Sequence, residues 1–175
     1  MREILQQTYC ALRGECVKIS KYAGTLPKMI YKEEGFMVRM DEIRIRIVSS
    51  QMAGGEREQM NIKTQGTLRQ SEDASIIEYV DMEGDTPAGT TTIWVREDTV
   101  GMQKKGAIET EFVFEEGKTY STLYRMPFGE MNVTLLPTHV DARMGKKSGS
   151  IELEYVLNIA GSQVVNRLSL NYDRR

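Results

Sequence analysis

From Asp41 onward the chain alternates apolar and polar residues with a period of two, and clusters of Gly, Pro, Asp, Asn and Ser interrupt the alternation at short intervals. This pattern constrains the fold more than any other feature, because a half-buried β-strand is what places every second side chain on one face. In "DEIRIRIVS", residues 41–49, Ile43, Ile45 and Ile47 share one side while Arg44 and Arg46 take the other. Ile151, Leu153, Tyr155, Leu157 and Ile159 oppose Glu152, Glu154 and Asn158 in the same way. Ile108, Thr110, Phe112 and Phe114 likewise oppose Glu109, Glu111 and Glu115. One dry and one wet face per strand is the pattern of an antiparallel sheet. With no strong helix between the strands, a parallel α/β arrangement is excluded.

The turn signals divide the chain after the first strand into "EQMNIKTQGTLRQ" (58–70), "ASIIEYVDM" (74–82), "TTTIWVRE" (90–97), "TVGMQKK" (99–105) and "AIETEFVFEE" (107–116). "KTYSTLYRM" (118–126), "MNVTLLPTHVDARM" (131–144), "SIELEYVLNIA" (150–160) and "SQVVNRLSLNY" (162–172) follow. Gly66 lies inside a strand pattern, which predicts a bulge or a sharp bend. Pro137 cannot donate to a ladder, so it predicts a strand junction or an edge. Gly161-Ser162 predicts a tight hairpin turn with Gly in a left-handed conformation. Short strands joined by hairpins imply a barrel or a sandwich. Connections too short for Greek-key crossings favour an all-β, antiparallel up-and-down barrel of about eight to ten strands, in which closure removes the exposed edges.

Residues 1–36 do not share this order. They carry six Lys/Arg and four Asp/Glu, a local net of +2 against −4 for the remainder. "REILQQTYCALR" forms no sustained apolar stripe, and "YAGTLPKMIY" (22–31), punctuated by Gly24 and Pro27, reads as a loop. Lys32 to Gly35 can be encoded by a purine run containing a bacterial ribosome-binding sequence just upstream of Met37. The expected organisation is therefore an N-terminal extension over 1–36, disordered or a mis-assigned start, before a β-barrel domain over 37–175, with a native start at Met37 or Met40. A genuine flexible arm is the competing reading.

Composition narrows the functional classes. A net charge of −2 supplies no global basic field for nucleic acid or anionic membrane. No apolar run approaches the length needed to cross a bilayer, and the N-terminus has no continuous apolar signal core, so the expectation is a cytoplasmic protein. Cys10 and Cys16 are the two cysteines, without the spacing or the companions of a zinc site, and a reducing compartment disfavours their disulfide. No Gly-rich phosphate loop, G-x-S-x-G elbow or HExxH appears, and Gly54-Gly55 reads as a hairpin turn.

The segments "GTTTIWV" (89–95), "KKGAIETEFVFEEGKTYSTLYRMPFG" (104–129) and "GSIELEYVLNIAGSQVVNRLSL" (149–170) resemble a bacterial family of unknown function typified by the YwiB proteins. The resemblance runs from about Met40 to Asp173 and implies a calycin-like, lipocalin-related β-barrel; it supplies no function. The family pattern has Arg where Lys104 stands and Thr where Met126 stands.

Candidate chemistry is sparse. His139 is the single histidine, with no catalytic partner or set of metal ligands near it in sequence. The pairs Glu109/Glu111 and Glu152/Glu154 alternate with apolar residues and read as a solvated outer surface rather than as acid–base pairs. Arg44 and Arg46 lack the interleaved exposed aromatics of a nucleic-acid surface. What remains is the barrel interior, which an eight-strand barrel either fills with its own side chains or opens to one small ligand. Tyr79, Trp94, Tyr120, Tyr124 and Tyr155 offer aromatic surface with a polar handle, and Thr92 and Arg167 offer hydrogen bonds, so these seven form the expected ligand-binding lining. The expectation is a non-catalytic barrel, without metal or cofactor, that binds a small, partly apolar molecule. The alternative is an interaction module or homodimer that uses a barrel face around a filled interior.

Overall fold

The computed structural model describes Gln6–Ala11, Glu15–Ser20, Lys28–Tyr31 and residues 37–175, with side chains from Met40 onward. The three short segments are strands β1, β2 and β3 respectively. β1 pairs antiparallel with β2, and β3 lies beside Met37–Met40. Of the stretch read as a loop, Lys28–Tyr31 is thus extended, and residues 22–27 lie outside the described residues. The remainder of the expected extension, residues 1–5, 12–14, 21 and 32–36, also lies outside them.

The strands that follow are β4 (Met37–Ala53), β5 (Glu56–Gln70), β6 (Ser75–Glu83), β7 (Thr86–Arg96) and β8 (Thr99–Gly106). Then come β9 (Thr110–Phe114), β10 (Tyr120–Met126), β11 (Gly129–Met144), β12 (Ser148–Ile159) and β13 (Ser162–Arg174). Hydrogen bonding runs β10-β11-β12-β13-β4-β5-β6-β7-β8-β9, all antiparallel. Each chain-neighbouring pair is a hairpin, and β13 returns to β4, giving the up-and-down order that the alternation predicts.

The ends of this path meet. Glu109 and Arg125 form an isolated antiparallel bridge, with Glu109 N donating to Arg125 O at 3.0 Å and Arg125 N to Glu109 O at 2.9 Å. The Thr122 hydroxyl adds a bond to Glu111 O at 2.7 Å. A ten-strand barrel is thereby nearly closed, and its edges are satisfied.

Inside, Ile43, Ile45, Leu68, Ile77, Ile93, Phe114, Leu135, Ile151, Leu153 and Leu170 belong to one buried cluster. These are the inward positions of the period-two pattern, and their removal from water is the main term holding the barrel together. The outward acids stay wet: the Ser169 hydroxyl donates to Glu152 Oε1 at 2.6 Å, and Glu154 pairs with Arg167.

Gly66 and Pro137 are the two irregular positions in the sequence. At Gly66 the β4–β5 register continues unbroken, so there is no bulge there. Gly66 is instead the point where β6 separates from β5, since pairing between them covers only Gly66–Gln70 with Ser75–Tyr79. A Cβ at Gly66 would collide with the Glu78 carbonyl, so the absent side chain permits a close approach. Pro137 sits within β11 at a register shift between Pro137 and His139. β12 pairs it on one side, whereas pairing to β10 on the other side ends at Leu135, so it stands where β11 becomes an edge, as the sequence predicts. Its missing N–H faces the side beyond the β10 pairing, where no ladder bond is lost, and its carbonyl accepts on that side from Gly117 N at 2.9 Å. The expected turn at Gly161 is present, with φ of 85° there and 50° at Ala160.

Candidate functional site

The hairpin order places the β4–β5, β6–β7, β8–β9, β10–β11 and β12–β13 turns at one end of the barrel, called here the upper end. Just inside it, one inward row crosses five strands in register: Gly66 opposite Tyr79, Tyr79 opposite Thr91, Thr91 opposite Lys104, and Lys104 opposite Thr110. The next row upward is Asp81, Gly89 and Gly106. Two of its three positions lack side chains, and there the β7 and β8 backbones come close enough that a Cβ at either would strike the neighbouring strand.

This polar group stands out in a mostly apolar interior, in which Asn166 and, at the lower end, Asp41 are also buried. The Thr91 hydroxyl, fully buried, donates to Asp81 Oδ2 at 2.5 Å, and Lys104 Nζ stands 3.5 Å from the same oxygen. Lys104 and Asp81 side chains are 33% and 27% exposed, which places them at an opening rather than in a sealed core. Burial, reinforced by the charge of Asp81, pushes the Tyr79 phenol well above its usual pKa, with a Thr91 hydrogen bond acting in the other direction. The Thr110 hydroxyl is buried and has no hydrogen-bond partner among the described residues. An unsatisfied buried hydroxyl costs about 1–3 kcal/mol, so it calls for an explanation.

An aromatic cluster adjoins this row. Phe112, two residues from Thr110 on the same face, lies 6.5 Å from both Tyr124 and Tyr155 by ring centroids. Tyr155 meets Phe114 edge-on at 5.1 Å. Burial, aided by the neighbouring Tyr124, raises the Tyr155 phenol to about 12.

The seven residues expected to line the interior are therefore divided. Tyr79, Tyr124 and Tyr155 face inward at or beside the polar row. Thr92 and Trp94 face outward, because Thr91, Ile93 and Val95 hold the buried parity of β7. Trp94 packs instead over Gly101 of β8, where a Cβ would overlap its indole ring. Arg167 is also outside, 63% exposed and 3.1 Å from Glu154. Tyr120 sits beside the β9–β10 turn at the opposite, lower end, its hydroxyl donating to Glu115 Oε2 at 2.7 Å. "TTTIWVRE" carries apolar residues on both parities, which is why Trp94 could be assigned to either side.

Asp81, Thr91, Lys104 and Thr110 were missed. The available signal was parity: Asp81 is two residues from Tyr79, Lys104 two from Met102, and Thr110 two from Phe112, each on the inward side. His139 lies on the outer face, 53% exposed and 3.6 Å from Glu116 Oε2. Among the described residues, no group of three or more His, Cys, Asp or Glu side chains is placed to hold a metal. None of their helices is long and apolar enough to cross a membrane.

A nearly closed, ten-strand antiparallel β-barrel with a polar row near one end is the class of protein that this geometry defines. The sequence matches the family described as "domain of unknown function (DUF1934)" over residues 45–170, and the chain belongs to that family. Its fold is similar to the crystal structure of the ywiB protein from Bacillus subtilis, with a TM-score of 0.70 and 19% sequence identity. That likeness covers 78% of this chain and 93% of the other, and at such identity it concerns the fold alone. No curated protein matches the sequence.

Proposed function

We propose that this protein is a non-catalytic binding barrel that takes a small, partly apolar molecule at its upper end. The observation that carries the reading is the inward polar row: a Lys104–Asp81 pair about a third exposed beside a buried Thr110 hydroxyl that lacks a partner among the described residues, next to the aromatic cluster of Phe112, Tyr124 and Tyr155. A ligand whose polar head reaches Lys104 and Thr110 satisfies that hydroxyl, while its apolar body lies against Phe112, Tyr124 and Tyr155. Few well-placed polar groups within an apolar, largely preformed recess is the ordinary composition of a small-molecule site.

The test pairs native mass spectrometry of untagged protein with binding of the anionic apolar dye ANS. Expected are a co-purifying extra mass or saturable ANS binding, weakened about tenfold or more by Lys104→Met and by Tyr124→Ala. If both variants fold and bind ANS as the parent does, and neither carries less extra mass, the site is not at this end.

A further inference from the structure

The outer wall of the barrel carries one apolar row where the pattern calls for polar residues. Leu136 of β11 is in register with Val156 of β12, Val156 with Val165 of β13, and Val165 with Met52 of β4. All four have outward parity, and Leu136, Val165 and Met52 are 37%, 42% and 50% exposed. Four apolar side chains standing side by side across four strands form a patch, unlike the single exposed hydrophobics that any surface bears. β3 does not account for it, because it pairs with Met37–Met40 at the far end of β4.

The next outward row toward the lower end contains Glu154 on β12 directly opposite Arg167 on β13. A two-fold axis parallel to the strands, between β12 and β13, lays β12 of one copy on β13 of another. The apolar row then meets itself reversed: Val156 faces Val165 of the second copy, and Leu136 faces Met52. Glu154 of each copy faces Arg167 of the other, so the charges match as well as the hydrocarbon. Further along, the same axis would set Arg143 against Arg46, which ends the contact before that row.

We infer that this face is a homodimer interface, with a second copy of the chain as its occupant. Isologous pairing of one self-complementary patch is the commonest route to a closed oligomer. With strands ~4.8 Å apart and outward residues ~6.8 Å apart along each, the patch measures roughly 20 by 20 Å. That is below the ~800 Å² per partner of a standard stable complex, so the dimer is a weak, reversible one.

Sedimentation velocity of the full chain, run from ~1 to ~200 micromolar, should show a concentration-dependent monomer–dimer equilibrium. Val165→Glu should abolish it across this range while leaving the circular dichroism spectrum unchanged. Glu154→Arg and Arg167→Glu should each weaken self-association about tenfold or more, and an equal mixture of the two should restore the dimer. Recovery on mixing separates a contact between copies from one within a sheet, because the cross-strand pair inside each copy stays mismatched. A chain that remains monomeric at the highest concentration overturns the inference. So does a dimer indifferent to Val165→Glu, or a mixture that fails to recover.

Discussion

At the lower end of the barrel, Arg174 Nη2 reaches Asp41 Oδ2 at 3.0 Å and donates to Gln70 Oε1 at 2.7 Å, with the Arg and Asp side chains 12% and 9% exposed. Gln70 Nε2 continues to Ser75 Oγ at 3.3 Å, and the Tyr172 hydroxyl donates to Gly145 O at 2.7 Å, tying the β11–β12 turn to the last strand. At the upper end the corresponding ion pair, Lys104 with Asp81, is longer and about three times more exposed. The two pairs differ in kind. Arg174 joins two partners through one nitrogen, Nη2, and is nearly buried in doing so. Lys104 brings a compact ammonium with donors to spare, beneath a row in which Gly89 and Gly106 contribute no side chain. The contrast shows how one wall of repeated hairpins carries a nearly buried ion pair at one end and a more exposed one at the other.

The strongest way to break that comparison is Arg174→Ala, which removes the cation facing a buried carboxylate. A loss of about 3 kcal/mol or more in urea unfolding is expected, and a loss under ~1 kcal/mol would mean the lower end is no lock. Alkaline pH should act mainly on the upper half. Tyr155, raised to about 12, and Tyr79, raised by burial and Asp81, keep their protons in the folded state after an unfolded tyrosine has lost its own. Their contribution is complete below the usual tyrosine value of about 10 and disappears as pH rises through the folded values. Phenolate absorbance should therefore show these tyrosines titrating late, with the urea midpoint falling over the same range. Uniform titration near the usual value, about 10, in folded protein would refute it. Tyr172→Phe should cost a smaller amount, about 1 kcal/mol, for one hydrogen bond at the lower end.

The fold was legible because its information is local and periodic. A strand such as "IELEYVLNI" declares its faces, and Gly161 declares its turn. Faces became illegible where apolar residues occupy both parities, as in β7, or where a register shift changes the parity, as between Pro137 and His139 in β11 and between Asp81 and Met82 in β6. Trp94 was misplaced for the first reason. Its cover is Gly101 on the neighbouring strand, a relation of register that periodicity does not carry. The polar row was illegible for another reason: Tyr79, Thr91, Lys104 and Thr110 lie far apart in sequence and become neighbours only once the β6–β9 registers are set. The closed end was hidden too, since Asp41 and Arg174 stand at opposite ends of the barrel domain.

The smallest effect is the most diagnostic. Lys104→Ala should change stability by no more than about 0.5 kcal/mol, because its pair with Asp81 is a third exposed and such pairs contribute little. The Thr91 hydroxyl continues to hold Asp81, so the carboxylate keeps a partner. Set beside Arg174→Ala, this makes a double comparison read by urea unfolding and ANS binding together. The lower-end variant should lose stability and, in its folded fraction, keep binding; the upper-end variant should lose binding and keep stability. Were Lys104→Ala to cost as much stability as Arg174→Ala, both ends would be structural locks, and the orphan Thr110 hydroxyl would be strain that the barrel tolerates rather than a vacancy for a ligand.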